Sequence, residues 1–231
     1  MSAKRERKLI VAIDGPAGAG KSTVAKRLAK ELGYTYMDTG AMYRAFAWKV
    51  MEEGIDPGDE KELGGILRDI SIELVERDGR PGVFLNGIDV TGRIRTPELS
   101  QMASRVSTSK IVREKMVELQ RVMGSQGGVV AEGRDIGTVV FPKADVKIYL
   151  DASSRERARR RFEELRSQGD RVTMEETLAE TEERDRRDKG RALAPLRRAE
   201  DAVVIDSTNS DADRVVERIM REIKKKISAN Q

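Results

Sequence analysis

The stretch that decides the fold of this 231-residue chain is Gly15-Pro16-Ala17-Gly18-Ala19-Gly20-Lys21-Ser22. It fits the pattern G-x-x-x-x-G-K-[ST], whose glycines let the backbone wrap around a polyphosphate and point its N–H groups inward. The N-terminus of a following helix would add positive potential at the same place. In such a loop Lys21 reaches the β- and γ-phosphates, and the hydroxyl of Ser22 binds Mg²⁺. We therefore predict a Mg²⁺-dependent ATP site formed by Gly15, Pro16, Ala17, Gly18, Ala19, Gly20, Lys21, Ser22 and Thr23.

Short apolar runs and helical patterns alternate around this loop. Buried parallel strands are predicted at Leu9–Ile13, Gly128–Ala131, Val146–Leu150 and Ala202–Ile205, with a weaker candidate at Tyr34–Met37. Apolar residues at helical spacing predict helices over Lys21–Leu32 and Arg214–Ile227. Alternation of this kind favours an α/β fold, a doubly wound parallel sheet of about five strands of the P-loop NTPase type.

Two segments interrupt the alternation. Between residues 54 and 92, the runs Ile70–Val75 and Val83–Leu85 flank the turn signal Arg77–Gly82, which predicts a small antiparallel insertion. From residue 153 to residue 198 the chain is dominated by charge and is predicted to be helical, with capping boxes at Ser153–Glu156 and Thr173–Glu176. We expect a single domain comprising a core (residues 1–53, 93–152 and 199–231), an insertion (54–92) and a helical lid (153–198).

Composition limits the possible functions. The 44 Lys and Arg residues nearly balance the 40 Asp and Glu residues, aromatic residues make up only 4%, and neither Cys nor His occurs. The chain therefore lacks thiolate metal ligands and the commonest general base. The apolar run Leu9–Ile13 is shorter than the roughly 7–15 residues of a signal-peptide core, and no segment reaches the ~20 apolar residues of a membrane span. We expect a cytoplasmic monomer that binds neither nucleic acid nor membrane.

A second metal ligand should end a neighbouring strand. Asp14 ends the first predicted strand and Glu132 follows Val129–Ala131, so either acid could face Mg²⁺ through water. Arginines are concentrated in the charged segment, where Arg157, Arg160 and Arg161 share one helix face. Such runs are usually solvated surfaces. A subset could instead neutralise charge during phosphoryl transfer, an effect of ~10³–10⁵ in rate for an arginine finger.

Along essentially its whole length the chain resembles bacterial cytidylate kinases. The segments that carry the resemblance are Ile13–Thr23, Asp38–Arg44, Gly92–Thr96, Glu132–Pro142, Glu183–Asp185 with Asp188 and Arg191, and Ala202–Ser207. These motifs are specific in combination, because other nucleoside monophosphate kinases share the phosphate loop but not the full set.

The resemblance implies transfer of the γ-phosphoryl group of ATP to CMP or dCMP. The acceptor-binding residues that it implies are Thr39, Arg44, Ser104, Arg113, Arg134, Asp135, Arg184, Asp188 and Arg191. Arg44 and Arg134 would hold the acceptor phosphate, and Arg184 with Asp188 would meet the sugar. The cytosine pocket would be shaped by Ser104, Arg113, Asp135 and Arg191. By the same resemblance, the insertion (54–92) would bind the monophosphate, and residues 153–198 would form the lid and acceptor-contacting helices. The catalytic residues that it implies are Lys21, Arg134, Arg157, Arg160 and Arg161, with the last three in a mobile lid over ATP.

The chain departs from the family pattern at two positions. Ser22 and Thr23 follow Lys21 where the family often has Gly, which leaves open which hydroxyl binds Mg²⁺, and Thr39 replaces a frequent Ser. Another acceptor, such as UMP, shikimate or a nucleoside, remains an alternative, and a hydroxyl acceptor could use Asp14 or Asp38 as a base. A basic ATP-binding regulatory or nucleic-acid-binding module is the non-enzymatic alternative.

Overall fold

The computed structural model describes residues 8–77, 80–167 and 169–229. Its chain divides into two compact units. The first contains the chain up to Tyr36 and from Gln126 onward, and the second is Met37–Ser125.

Strands and helices alternate through the first unit. Its strands are β1 (Ile10–Asp14), β2 (Thr35–Asp38, which runs into the second unit), β6 (Val129–Gly133), β7 (Val146–Asp151) and β8 (Val203–Asp206). Its helices are α1 (Lys21–Leu32), α6 (Ser154–Ser167), α7 (Met174–Gly190) and α8 (Ala212–Ala229), and a π-helical turn spans Ile136–Val140. The second unit contains α2 (Thr39–Glu52), α3 (Glu60–Arg68), β3 (Ile72–Arg77), β4 (Arg80–Leu85), β5 (Ile88–Asp89), α4 (Pro97–Val106) and α5 (Lys110–Met123).

The main sheet places the ends of its central strands side by side. Its strand order is β2-β6-β1-β7-β8, and β1 pairs in parallel with both β6 and β7. In this register Ile13 lies opposite Glu132, and Asp14 lies opposite Tyr149. Because the carboxyl ends of parallel strands share one edge, the loops that follow β1 and β6 converge there.

One hydrophobic core supports this edge. Val24 and Leu28 of α1 and Val215, Ile219 and Ile223 of α8 are buried in a cluster with the inner residues of β1 and β7. Burial of such side chains stabilises the fold by roughly 1.5–3 kcal/mol each. Gly33 ends α1 with a left-handed φ of 65°, and its N–H caps carbonyls of the last helical turn. Helix α1 is thereby fixed behind the phosphate loop.

The second unit has a separate core. Helices α2, α3, α4 and α5 pack with the sheet β3-β4-β5 around buried residues that include Phe46, Leu63, Leu85 and Met116. The sheet is antiparallel throughout, with Ile72 of β3 opposite Leu85 of β4.

Most predicted elements are confirmed. Four of the five strands of the main sheet begin and end within one residue of their predicted bounds, whereas β6 ends two residues later than predicted. Helix α1 has the predicted bounds. The antiparallel hairpin is also confirmed, and β5 is an additional strand. Asp78 and Gly79 of its predicted turn lie outside the described residues.

The charged segment is less helical than predicted. Helix α7 ends at Gly190, and residues 191–198 are not helical. Pro195 lacks an N–H and disfavours helix in the residue before it. That residue, Ala194, has a φ of 46°, outside the right-handed helical region. The capping box of Thr173 and Glu176 is confirmed. At the start of α6 only half of the capping box forms. The hydroxyl of Ser153 accepts a hydrogen bond from the N–H of Glu156, but the carboxylate of Glu156 binds Arg159 and Arg160.

The second unit extends beyond residues 54–92 at both ends. The functional division into core, monophosphate-binding insertion and lid stays a prediction. Within the described part of the chain, no helix is both long and apolar enough to cross a bilayer.

Candidate active site

The phosphate loop connects β1 to α1 and depends on glycine at two positions. Gly15 has a φ of 151°, and a Cβ there would lie 1.9 Å from the carbonyl oxygen of Leu150 in β7. Gly18 has a left-handed φ of 76°, and its Cβ would lie 3.0 Å from the Cβ of Arg157. Side chains at these positions would displace backbone, so the loop keeps its shape only with glycine.

Lys21, the first residue of α1, is buried beneath this loop. The residue is 6% exposed, and its Nζ donates to the carbonyl of Pro16 at 2.6 Å. Burial, reinforced by the charge of Arg134 and opposed by that of Glu132, lowers the pKa of Lys21 to about 7. A cation held at such a cost is suited to an anionic partner.

Two buried carboxylates end the central strands. Asp14 accepts the backbone N–H groups of Ile136 and Gly137, each at 2.7 Å, at the start of the π-helical turn. Burial raises the pKa of Asp14 to about 6 in spite of these hydrogen bonds. Glu132 accepts from the hydroxyl of Tyr36 at 2.5 Å. Both acids lie at the predicted edge of the sheet, and each has a donor that fixes its orientation.

The site fits a metal ion that takes most of its ligands from the bound substrate and from water, and only one or two from the protein. Among the described residues, no group of three or more acidic side chains could hold a metal ion. Ser22 is exposed on the first turn of α1, directly after Lys21, and supplies one hard oxygen donor. Mg²⁺ is usually bound through one or two protein oxygens together with phosphates and waters. The hydroxyl of Ser22, with Asp14 or Glu132 acting through water, suits such an ion.

Beside Lys21 lies an arginine cluster held by Asp188. Asp188 is 1% exposed, and its carboxylate accepts from Nε of Arg134 at 2.8 Å. It also pairs with Arg191 at 2.6 Å, just beyond the end of α7. Although burial opposes it, the charges of Arg134 and Arg191 hold the pKa of Asp188 below its usual value. Arg184, one turn earlier on α7, is close enough to lower the pKa of Lys21.

The structure thus brings together most of the predicted residues of the first unit. Asp135 is also buried there, and it precedes the π-helical turn. The arginines of α6 differ from one another. Arg157 is buried, Arg160 is half-buried, and Arg161 pairs with Glu164 on the same helix at 2.8 Å.

The second unit carries the remaining predicted residues. Nη2 of Arg44 lies 3.3 Å from Asp38, which caps α2, and Nε of Arg44 is buried without a hydrogen-bond partner among the described residues. Such a donor fits an anionic ligand. Thr39 begins α2, Ser104 is half-buried on α4, and Arg113 is buried on α5.

Sequence reasoning missed three residues of the first unit that contact predicted site residues. Tyr36 donates to Glu132, Asp185 binds Arg157, and Oγ of Ser207 donates to the carbonyl of Ala19 at 3.0 Å. Asp185 and Ser207 stood within segments that carried the family resemblance, but no local pattern predicted their contacts.

Comparison with known proteins finds one family over nearly the whole chain. The family model described as cytidylate kinase matches residues 11–225. A cytidylate kinase of Syntrophotalea carbinolica is 54% identical over 215 residues, covering 93% of this chain and 92% of that protein. One of Geobacter sulfurreducens is 52% identical over 219 residues, covering 95% and 94%.

A more distant structure shares the fold. An uncharacterized protein from Eubacterium ventriosum has a TM-score of 0.51 and 13% identity, covering 94% of this chain and 99% of that chain. The family itself rests on the sequence relatives and on the family model, whose matched range of residues 11–225 includes the phosphate loop, the strand ends and α7. The chain belongs to the cytidylate kinase family.

Proposed function

We propose that this protein transfers the γ-phosphoryl group of ATP to CMP and dCMP, giving ADP and CDP or dCDP. The observation that carries the proposal is the buried Lys21, which ends a phosphate loop and lies close to Arg134 and Arg184. Such a concentration of positive charge suits a reaction that brings two anionic nucleotides together. Relatives at about half identity named as cytidylate kinases support CMP rather than UMP or shikimate as the acceptor.

The reaction needs no general base. The second pKa of a phosphate monoester is ~6, so the acceptor oxygen is largely deprotonated at neutral pH. One bond forms between that oxygen and the γ-phosphorus, and the bond from the γ-phosphorus to the β,γ-bridging oxygen breaks, so ADP leaves. The absence of histidine from the chain is compatible with this chemistry.

Charge neutralisation and positioning are then the work of the protein. A bound polyphosphate would raise the pKa of Lys21 from about 7, so the lysine acts as an ammonium ion. N–H groups of the loop and of the first turn of α1 would bind the phosphate oxygens. Mg²⁺, held through Ser22 and the nucleotide, supplies further charge neutralisation when bound.

Acceptor binding is assigned residue by residue. Arg134 and Arg44 are proposed to bind the CMP phosphate, and Arg184 and Asp188 the sugar. The proposed residues of the cytosine pocket are Ser104, Arg113, Asp135 and Arg191. Arg161 stays a candidate for direct contact with ATP. We further propose that the enzyme acts as a cytoplasmic monomer.

An acceptor panel tests the proposal. ADP release from Mg-ATP would be measured with CMP, dCMP, UMP, shikimate and a nucleoside, and CMP or dCMP should give the highest kcat/KM. Lys21→Met should lose most turnover. Lys30→Met is the matched control, because Lys30 lies exposed on the last turn of the same helix. Comparable rates with every acceptor, or near-normal turnover in Lys21→Met, would refute the assignment.

A further inference from the structure

Four consecutive carbonyl groups of the phosphate loop accept hydrogen bonds from side chains. The carbonyl of Pro16 accepts from Lys21 at 2.6 Å. Those of Ala17, Gly18 and Ala19 accept from Arg157 at 3.1 Å, from Arg160 at 3.4 Å and from Ser207 at 3.0 Å, respectively. The donors come from three elements: α1, α6 and the residue that follows β8.

Fixing these carbonyls also fixes the N–H groups of the loop. In a planar trans peptide unit the C=O and the following N–H point in opposite directions. A side chain that holds the carbonyl of Ala17 therefore orients the N–H of Gly18 toward the opposite side. The same holds for the two following peptide units. A phosphate cradle requires this arrangement, with its N–H groups converging on the anion.

All three guanidinium nitrogens of Arg157 donate hydrogen bonds on the side of the loop where these carbonyls lie. Its Nε donates to the carbonyl of Ala152 at 2.9 Å, and its Nη1 reaches both Ala17 and Asp185. Nη2 donates to the other oxygen of Asp185 at 2.5 Å. The side chain of Arg157 is 5% exposed, so this two-point pair with Asp185 is shielded from water. Such paired, charge-assisted bonds hold a guanidinium in one geometry.

Arg160 and Ser207 form the second half of the arrangement. Arg160 donates to the carbonyl of Ser207 at 2.7 Å and to its hydroxyl at 3.2 Å. Glu156 holds Nε of Arg160 at 2.9 Å from the preceding turn of α6. The hydroxyl of Ser207 can thus accept from Arg160 while it donates to Ala19, and Ser207 is 3% exposed.

We propose that Arg157, Asp185, Arg160 and Ser207 form a carbonyl clamp that orients the phosphate loop for polyphosphate binding. In this role they are positioning residues, and Arg157 and Arg160 contact the loop rather than the transferring phosphate. The clamp extends the proposed function to the geometry of the loop, and it rests on that function in one respect: the loop is taken to bind the phosphates of ATP. It also makes α7 part of the ATP site through Asp185.

The direction in which Asp185→Asn changes the affinity for a polyanion shows whether Arg157 positions the loop or contacts the phosphate directly. The substitution removes a negative charge close to the site. If Arg157 were a phosphate ligand for which Asp185 competes, affinity for a polyanion would rise. If the clamp orients the loop, affinity should fall, because Asn cannot hold both Nη atoms as a carboxylate does.

The probe is inorganic tripolyphosphate with Mg²⁺, titrated by calorimetry into the folded protein, and then Mg-ATP. This probe has no base or sugar, so it reports on the cradle alone. We expect Asp185→Asn and Ser207→Ala each to weaken tripolyphosphate about threefold to tenfold, from the loss of one or two hydrogen bonds. Binding of Mg-ATP should weaken by a similar factor.

Arg159→Lys is the matched control for Arg157→Lys. Arg159 lies on the same helix, is half-exposed and pairs with Glu156 and Glu163 of that helix. Arg157→Lys keeps the charge but loses the two-point pair, so it should weaken tripolyphosphate as Asp185→Asn does. Arg159→Lys should leave that affinity unchanged.

Each outcome decides the proposal. Unchanged or tighter binding of tripolyphosphate in folded Asp185→Asn overturns it, and so does a lower melting temperature with unaltered affinity. If Asp185→Asn fails to fold, the uncharged Ser207→Ala decides by the same titration: weaker binding supports the clamp and unchanged binding overturns it. If the wild type binds tripolyphosphate but forms no CDP, the proposed function fails while the clamp stands.

Discussion

Replacing Lys21 with Met should stabilise the folded protein at neutral pH while it removes phosphoryl transfer. Lys21 is almost completely buried, and burial together with the charge of Arg134 lowers its pKa from 10.5 to about 7. Since one pKa unit corresponds to about 1.4 kcal/mol, the charged lysine costs the folded state on the order of 4–5 kcal/mol below pH 7. Methionine is of similar length and carries no charge, so the variant avoids this cost.

Two losses reduce the gain. The carbonyl of Pro16 loses its hydrogen bond to Nζ, and Glu132 and Asp14 lose a nearby positive charge. An unpaired buried carbonyl costs roughly 1–3 kcal/mol, and the lost attraction to Glu132 and Asp14 costs a further fraction of a kcal/mol. We therefore expect Lys21→Met to raise the free energy of unfolding by about 1–3 kcal/mol near pH 7.

The effect must depend on pH in one direction. The pKa of Lys21 is lower in the folded protein than in the unfolded chain, so the unfolded chain binds more protons between about pH 7 and pH 10. The stability of the wild type should therefore rise through this window, by at most about 1.4 kcal/mol per pH unit from this group. Lys21→Met lacks the titrating group, so its advantage should shrink by roughly 2 kcal/mol between pH 7 and pH 9.

Urea unfolding followed by far-ultraviolet circular dichroism measures these differences. Wild type, Lys21→Met and the exposed control Lys30→Met would be compared at about pH 7, 8 and 9. Lys30→Met should remain within about 0.5 kcal/mol of wild type throughout. A difference between wild type and Lys21→Met that is constant across the range would contradict the lowered pKa, and a net loss of stability near pH 7 would contradict the cost of burial.

Two further substitutions test how the site is built. Gly15→Ala should destabilise the fold by roughly 2–4 kcal/mol and weaken Mg-ATP, because the new Cβ would lie 1.9 Å from the carbonyl of Leu150. Gly33→Ala is its control, because it places a methyl group at positive φ with no atom within 4 Å and should cost only about 1 kcal/mol in urea unfolding. Asp188→Asn should cost roughly 3 kcal/mol at neutral pH and raise the KM for CMP more than that for ATP, because it leaves Arg134 without its buried carboxylate. The pKa of Asp188 is lowered, so this cost should be present at neutral pH and decline as acid protonates the wild-type carboxyl; a loss below about 1 kcal/mol would refute the buried pair.

The phosphate loop and its neighbouring elements could be predicted from the sequence because their signals are local. The apolar run before Gly15, the glycine spacing and the periodicity of α1 each concern residues that are adjacent in the chain. The same holds for the capping box of Thr173 and Glu176, whose two residues are three positions apart. In each case the backbone geometry follows from a few neighbouring side chains.

The clamp could not be predicted in this way. Arg157 and Arg159 lie two residues apart in one charged run, yet one is buried and the other is half-exposed. The partner of Arg157, Asp185, lies 28 residues away on another helix, and the contact of Ser207 with Ala19 spans 188 residues. A surface pair and a buried pair consist of the same residue types, so only the packing of α6 against α7 distinguishes them.

The arrangement of charges argues that this site serves a ligand rather than stability. The positive charges of Arg134 and Arg184 both disfavour the charged form of Lys21, and burial disfavours it more strongly. Asp14 should oppose this effect, but burial raises its pKa to about 6, so it is only partly charged near that pH. A sequence selected for stability alone would place apolar residues here, since buried ion pairs are often no better than well-packed hydrophobic ones. A bound polyphosphate reverses this effect. Arg134 and Arg184 make a charged Lys21 more costly in the absence of ligand, but with a polyphosphate present all three cations attract the same anion.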